Sequence, residues 1–238
     1  DVDDPDRHVY NFYSGRIVHG VQFADPAKRR EPTAYFGRST GVGQTLDSLN
    51  DRPNLRVGVV GLGVGTLAAY AQPGQYFRFY ELNDDVQRFA EEYFTYLQDC
   101  RGQYDVVLGD GRLSLEQEPP QQFDLLILDA FSGDAVPTHL LTKEAFEIYE
   151  VAVNISNRYL DLSPVVAGLA DAFGFDARRV SSPGDPQRGE FPAEWMVLTR
   201  PGDGDTRQVK TAASTVGSGP HRTILWTDDH SNLFEILK

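Results

Sequence analysis

The sequence predicts an α/β protein: a doubly wound parallel sheet with an antiparallel edge strand and a small β-rich extension at the N-terminus. Two observations support this fold class. From residue 56 onward, short apolar runs alternate with segments of helical spacing, which is the pattern of parallel strands joined by crossover helices. The fourth run, FDLLILDA at 123–130, is apolar almost throughout, as is typical of a strand buried on both faces of a sheet.

The first 50 residues lack this alternation. We therefore place a β-rich extension at residues 1–50 and one main domain at residues 51–238. Within the extension, GRIVHGVQF at 15–23 predicts an extended strand, and STGVG at 39–43 predicts a turn or loop before a helical segment. Near the other end, residues 201–220 combine glycines and prolines with no apolar period, which predicts a surface loop.

The main domain divides into strands and helices in order. The predicted strands are 56–63, 76–83, 104–110, 123–130, 151–156, 175–180 and 194–200. The predicted helices are 66–71, 84–97, 113–118, 142–150, 163–174 and 231–237. Pro73 and Gly74 stop the first helix, Asp84 and Asp85 favour the start of the second, and Gly174 ends the fifth.

Charge and hydropathy exclude some classes of protein. The chain has 22 Lys and Arg against 35 Asp and Glu, and its net charge of −13 disfavours nucleic acid as a partner and attracts cations. The longest uncharged run, 57–71, is too short and too rich in glycine to span a bilayer. We therefore expect a cytoplasmic location.

The cysteine and histidine residues predict no metal site. Cys100 is the single cysteine, so the chain has neither a disulfide framework nor a Cys pair for zinc. The histidines show no metal-ligand spacing, and we interpret them as surface or capping residues. They are His8, His19, His139, His221 and His230.

The segment GLGVG at 61–65 lies between the apolar part of the first predicted strand and the first predicted helix. Glycines there allow a tight turn and let a ligand approach the backbone closely. Glu81 lies 20 residues beyond Gly61, at the end of the next strand, where a carboxylate can accept hydrogen bonds from both hydroxyls of a ribose. Together they predict a nucleoside site, and the simpler alternatives are a plain turn and a surface charge. A dinucleotide enzyme also stays open, although GxGxG differs from its usual GxGxxG.

Further carboxylates follow the next strands. Asp110 projects from the same sheet edge as Glu81 and can accept from an exocyclic amine such as that of adenine, unless it only caps a helix. Asp129 ends the fourth strand, where a carboxylate can deprotonate or hold a cationic nucleophile. Asp134 is either a supporting carboxylate or a turn residue. Asp228 is a last candidate, with capping of the C-terminal helix as the simpler interpretation.

Four segments, in this order and spacing, resemble the spermidine synthase family: VVGLGVGTL, FYELND, LGDGRLSLE and DLLILDAFSGDAVPTHLLTKEAF. These proteins are polyamine aminopropyltransferases with a class I methyltransferase-like fold, and the resemblance covers roughly residues 10–235. It implies that residues 51–238 form a nucleoside-binding, Rossmann-like domain. It also implies S-adenosylmethionine or its decarboxylated form as co-substrate, no metal, a small cationic amine as acceptor, and a homodimer as the assembly. Similar domains are joined to multi-span membrane segments in some bacterial proteins, so a membrane domain in the full-length chain is a further expectation.

The resemblance also implies roles for individual residues. The co-substrate-binding residues are Gly61, Gly63 and Gly65 in the loop, Glu81 on the ribose, and Asp110 and Gly111 near the adenine. Asp129 matches the first Asp of the family motif after the fourth strand and acts on the attacking amine. The substrate-binding candidates are Tyr35 and Asp134, to which we add Asp228.

The implied reaction is an in-line displacement. A deprotonated amine such as putrescine attacks the propyl carbon beside the sulfonium, and methylthioadenosine leaves. The chain departs from the family on the amine side: DAFSGD lengthens the usual Asp-Ser-Ser/Thr-Asp, YFG keeps only the Tyr of Tyr-His-Glu, and the hairpin Gln has no counterpart near GRIVHG. Two alternatives therefore stay open. One is an S-adenosylmethionine-dependent methyltransferase acting on a small or cationic acceptor, and the other is a nucleoside-binding domain without catalysis.

Overall fold

Nine strands form two sheets in the computed structural model, which describes residues 8–14, 17–130, 137–147, 151–157, 159–201 and 223–238. A two-stranded antiparallel sheet contains β1 (Val9–Ser14) and β2 (Ile17–Phe23). The other strands are β3 (Arg56–Val60), β4 (Tyr76–Glu81), β5 (Gln103–Leu108), β6 (Leu125–Leu128), β7 (Val151–Asn154), β8 (Asp176–Ser182) and β9 (Ala193–Thr199). These seven form one sheet in the order β5-β4-β3-β6-β7-β9-β8.

The order of the large sheet confirms the predicted doubly wound fold. Strands β3 to β7 pair in parallel, and β3 lies between β4 and β6, so the order reverses at β3. At this switch point Val60 is opposite both Tyr80 and Leu128. Strand β9 is antiparallel to both of its neighbours, and it lies one position in from the edge because β8 pairs on its outer side.

In the described parts of the chain, five α-helices connect or cover the strands. They are α1 (Gly41–Ser48), α2 (Asp84–Tyr93), α3 (Gly111–Gln117), α4 (Lys143–Phe146) and α5 (Ser163–Phe173). The first and last predicted helices of the main domain are 3₁₀ turns, Thr66–Tyr70 and Leu233–Ile236. Among the described residues, no helix combines the length and the apolar composition needed to cross a bilayer.

Helix α1 differs from the prediction of a loop at 39–43. The helix already begins at Gly41, because the Thr40 side chain caps it by accepting a hydrogen bond from the Gly43 N–H. A Cβ on Gly41 would lie 2.7 Å from the Trp195 Cβ, and one on Gly43 would lie 2.2 Å from the Gly37 carbonyl oxygen. Glycine therefore serves close packing of this helix rather than a turn.

Two other predicted helices were longer than the helices in the structure. Helix α2 ends at Tyr93, and Leu97 packs into the core from the turn that follows. Helix α4 covers only Lys143–Phe146 of the predicted 142–150, and residues 148–150 lie outside the described part. Most of the predicted loop at 201–220 also lies outside it.

The core lies on both faces of the large sheet, as predicted for the fourth strand of the main domain. On β6, Leu126 and Leu128 pack in one apolar cluster with α5, whereas Leu125 and Ile127 pack in another with α1. All four side chains are buried. Side chains alternate between the faces of a strand, so a strand covered on both sides needs apolar residues at every position.

Candidate active site

The topology gathers the candidate residues at one edge of the sheet. Strands β3, β4, β5 and β6 are parallel, so their carboxyl ends meet there. The chain places the loop 61–65 after β3, Glu81 at the end of β4, Asp110 after β5 and Asp129 after β6. Ligands of open α/β sheets bind at this edge, beside the point where the strand order reverses.

The loop 61–65 is a tight turn whose three glycines all have positive φ angles, +102° at Gly61, +55° at Gly63 and +80° at Gly65. A Cβ on Gly61 would lie 2.5 Å from the Asp129 carbonyl oxygen, and one on Gly63 would lie 2.8 Å from the His19 carbonyl oxygen. The glycines are therefore required by the packing of the chain itself. They bring the loop against both the strand bearing Asp129 and the hairpin strand β2.

Glu81 is held in place by the backbone of two neighbouring segments. Its Oε2 accepts a hydrogen bond from the Leu62 N–H at 3.0 Å, and its Oε1 accepts one from the Asn83 N–H at 3.0 Å. Each carboxylate oxygen has a second lone pair, so Glu81 can still accept hydrogen bonds from two ligand hydroxyls. This is a fixed acceptor at the sheet edge and not a loose surface charge.

His19 corrects the interpretation of every histidine as a surface or capping residue. Its ring packs near Phe12, with centroids 5.8 Å apart, and its Nε2 is buried without a hydrogen-bond partner among the described residues. Burial lowers the pKa of His19, and the charge of Glu81 acts in the opposite direction. A buried polar atom normally has a partner, so this nitrogen is an exception in the described structure.

Asp110 performs the capping role that was its simpler interpretation. Its Oδ1 accepts from the Leu113 N–H at 3.0 Å at the start of α3, and its Oδ2 lies 2.9 Å from the His139 Nε2. Burial acts to raise the pKa of Asp110, but these hydrogen bonds and the His139 charge hold it below its ordinary value. The cap does not exclude a ligand, because the carboxylate has further lone pairs. Gly111 lies beside it, with its backbone against Val60.

Among the carboxylates of the candidate site, Asp129 has the most strongly shifted pKa. The residue is partly exposed, and burial of its carboxyl group raises the pKa of Asp129 to about 7. The Asn154 side chain opposes the rise by donating a hydrogen bond to Oδ1 at 2.6 Å. Tyr35 shares this environment: burial, and secondly the charge of Asp129, raise the pKa of its phenol.

Of the two remaining carboxylate candidates, only Asp228 lies in the described residues. Asp134 lies outside the described residues. Asp228 forms a bidentate ion pair with Arg112, with both N–O distances at 2.6 Å, and also accepts from the Thr142 hydroxyl at 2.8 Å. The hydrogen bonds from Arg112 lower the pKa of Asp228 to about 2. The C-terminal turn is capped by Asn232 instead.

Glu190 was missed by the sequence analysis because it is remote in the chain from YFG. Its buried carboxylate accepts from the Ser39 hydroxyl, and its Cγ would lie 2.3 Å from a Cβ on Gly37. Ala34, which precedes Tyr35, has a positive φ of 54°. Its N–H donates a hydrogen bond to the carbonyl of Gly189, the residue before Glu190. Glu190 therefore fixes the segment that presents Tyr35.

Two side-chain amides that the sequence did not indicate as site residues, those of Gln22 and Asn154, form hydrogen bonds with distant segments. Gln22 in β2 is buried, donates to Thr95 and Arg29, and accepts from the Thr95 N–H. Its amide thus anchors the hairpin to the segment after α2. Asn154 contacts Asp129 directly, and only the strand order, which places β7 beside β6, reveals this pair.

Comparison with known proteins gives the family context of this site. No family model matches the sequence. Over 137 residues the chain is 33% identical to a polyamine aminopropyltransferase of Vibrio vulnificus (strain CMCP6), a match that covers 55% of this chain and 43% of that relative. The chain thus spans less than half of that protein.

A solved structure extends the comparison to the fold. A probable spermidine synthase from Corynebacterium glutamicum ATCC 13032 superposes with a TM-score of 0.52 and 22% identity, covering 67% of this chain and 62% of that chain. At this identity the likeness concerns the fold alone. The chain therefore has the fold of that solved structure, and over 137 residues its sequence is similar to that of a polyamine aminopropyltransferase.

Proposed function

We propose that this chain transfers the aminopropyl group of decarboxylated S-adenosylmethionine to a small amine such as putrescine and releases methylthioadenosine. The observation that carries the proposal is Asp129: it follows β6 at the switch point, its backbone carbonyl packs against the glycine loop, and its buried carboxyl group has a pKa near neutrality and shares its environment with Tyr35. Such a group suits proton transfer at neutral pH. The similarity to a polyamine aminopropyltransferase supports the choice of reaction.

The residues at the sheet edge fit the proposed co-substrate. Glu81 would accept the ribose hydroxyls, Asp110 and the backbone of Gly111 would lie at the adenine, and the loop 61–65 would lie along the nucleoside. The unsatisfied Nε2 of His19 offers one more polar contact. When bound, the sulfonium supplies an electrophilic carbon and a neutral thioether as the leaving group.

In this reaction the residues of the protein accept one proton from the amine. An ammonium has no lone pair, so the acceptor must lose a proton to become a nucleophile. We assign that proton to Asp129, from which it passes to solvent, while the N–C bond forms and the C–S bond breaks. Tyr35 and Asp134 stay candidates for holding the amine. The net charge of −13 would attract a cationic acceptor to the protein.

Calorimetry with three nucleosides tests the proposed co-substrate. We expect decarboxylated S-adenosylmethionine and methylthioadenosine to bind more tightly than S-adenosylmethionine, because the proposed site has no assigned cation for the extra carboxylate. A clear preference for S-adenosylmethionine would contradict the proposal and favour the methyltransferase alternative. Absence of binding by all three would contradict the nucleoside site itself.

A further inference from the structure

Asn154 is a buried amide whose two ends have different and fixed partners. It is the last residue of β7, lies opposite Trp195 of β9, and is only 3% exposed. Its Nδ2 donates to the Asp129 Oδ1 at 2.6 Å, and its Oδ1 accepts from the Ser156 N–H at 2.9 Å. The amide therefore connects the reacting carboxylate to the backbone beyond β7.

The orientation of this amide is determined by the backbone. The Ser156 N–H can only donate, so it requires the oxygen end of the Asn154 amide, and the NH₂ end must then face Asp129. Ser156 is itself fixed, because its hydroxyl accepts from the Glu194 N–H at 2.8 Å and donates to the Glu194 carbonyl at 3.2 Å. The Ile155 N–H also donates to that carbonyl. Strand β9 thus holds the residues that orient Asn154.

We infer that Asn154 is the positioning residue of the transfer step: it binds one oxygen of Asp129 and directs the other oxygen to the amine. This inference rests on the proposed function and adds to it the residue that sets the geometry of the base. An amine proton is transferred efficiently only along a well-aligned hydrogen bond, so a carboxylate that can rotate is a poorer acceptor. The wide separation of residues 129 and 154 in the chain explains why no sequence motif contains both.

The surroundings of Asp129 make the effect of Asn154 measurable. Among the described residues, the elements packed against Asp129 contribute the phenol of Tyr35, the amide of Asn154 and the uncharged backbone of Gly61. Burial raises the pKa of Asp129, and the Asn154 hydrogen bond lowers it by favouring the ionised form. Loss of the donor must therefore raise the pKa of Asp129 further.

The test compares Asn154→Leu, which keeps the branching at Cγ and removes the donor, with Asn157→Ala as a control. Asn157 lies in the same segment, and its side-chain oxygen accepts hydrogen bonds from the Tyr159 and Leu160 N–H groups. Carboxyl ¹³C NMR would follow the ionisation of Asp129 in each protein. We expect Asn154→Leu to raise the pKa by about one unit and Asn157→Ala to leave it unchanged, since a hydrogen bond to a charged group is worth about that much.

Kinetics with the acceptor amine provide the second readout. In Asn154→Leu we expect kcat near pH 7 to fall by at least about tenfold, KM for the nucleoside to change by less than about twofold, and the acidic limb of the pH profile to move to higher pH. An unchanged Asp129 pKa in folded Asn154→Leu would overturn the inference. If the pKa shifts as expected but the wild type releases no methylthioadenosine, the geometry stands and the proposed function alone fails.

A measurement on the wild type covers the case in which the variants do not fold. The Asn154 side-chain ¹H–¹⁵N resonances should titrate with the pKa of Asp129, because that hydrogen bond changes when the carboxylate is protonated. Resonances that do not respond to the ionisation of Asp129 would overturn the inference without any variant.

Discussion

The carboxylate of Glu81 accepts a hydrogen bond from the backbone N–H of Leu62 at 3.0 Å, which ties the end of β4 to the glycine loop after β3. A second hydrogen bond from the Asn83 N–H fixes the other oxygen. The acceptor is thus preorganised before any ligand arrives, and binding need not order it. This arrangement is the strongest structural support for a nucleoside site at the sheet edge.

Replacing Glu81 by Gln should weaken the binding of methylthioadenosine about 10- to 100-fold. The amide has one acceptor instead of two, and its NH₂ group must face a backbone donor or a ribose hydroxyl. Calorimetry below the unfolding temperature measures the change, with Glu92→Gln on the exposed face of α2 as the control. Equal affinity of the Glu81 and Glu92 variants would remove Glu81 from the site.

Substitution of Gly61 by Ala should destabilise the protein far more than substitution of Gly174 by Ala. Both glycines have positive φ, but a Cβ at Gly174 meets nothing within 4 Å, whereas one at Gly61 lies 2.5 Å from the Asp129 carbonyl oxygen. We expect a loss of about 1 kcal/mol at Gly174 and at least about 3 kcal/mol at Gly61 in urea unfolding. Similar losses at the two positions would show that the loop does not press against Asp129.

Asp129→Asn should change the free energy of unfolding in a pH-dependent way. The pKa of Asp129 is about 7 in the folded chain, above its value of about 3.9 in the unfolded chain. The folded state therefore binds the proton more tightly, and ionisation of Asp129 destabilises the wild type progressively from about pH 4 to about pH 7. Asn cannot ionise, so over this range the variant should gain about 2 to 4 kcal/mol relative to the wild type. A difference that is the same at pH 4 and pH 8 would contradict the raised pKa.

Asp228→Asn should leave turnover and nucleoside affinity within about twofold of the wild type. In the structure this carboxylate is engaged by Arg112 and Thr142, which suits an anchor for the C-terminal segment better than a substrate ligand. Hydrogen exchange should instead become faster at residues 223–230. A large rise in KM for the amine, with unchanged exchange, would restore the substrate-binding role predicted from the sequence.

The strand ends of this fold are readable from the sequence, and so are the carboxylates on them. Apolar runs locate β3, β4 and β6, and Glu81 and Asp129 follow because ligands of parallel sheets meet the carboxyl ends of the strands. The roles of the site residues in catalysis stay predictions.

Contacts between distant segments could not be predicted from apolar runs in the sequence. A Cβ on Gly41 would lie 2.7 Å from the Trp195 Cβ, and the Nε2 of His19 is buried where the hairpin packs on the glycine loop. The pairing of Asp129 with Asn154 depends on β7 lying beside β6. Each of these relations is set by tertiary packing, which local spacing and propensity do not encode.

Product analysis of the wild type and Asp129→Asn tests the central claim most directly. The control variant is Asp171→Asn, in the exposed part of α5. Each protein is incubated with decarboxylated S-adenosylmethionine and putrescine. Mass spectrometry then identifies the products. We predict methylthioadenosine and an aminopropylated amine from the wild type and the control, and at least about 100-fold less from Asp129→Asn, with nucleoside binding retained. Methylation of putrescine in place of aminopropyl transfer, or equal turnover by Asp129→Asn, would contradict the account.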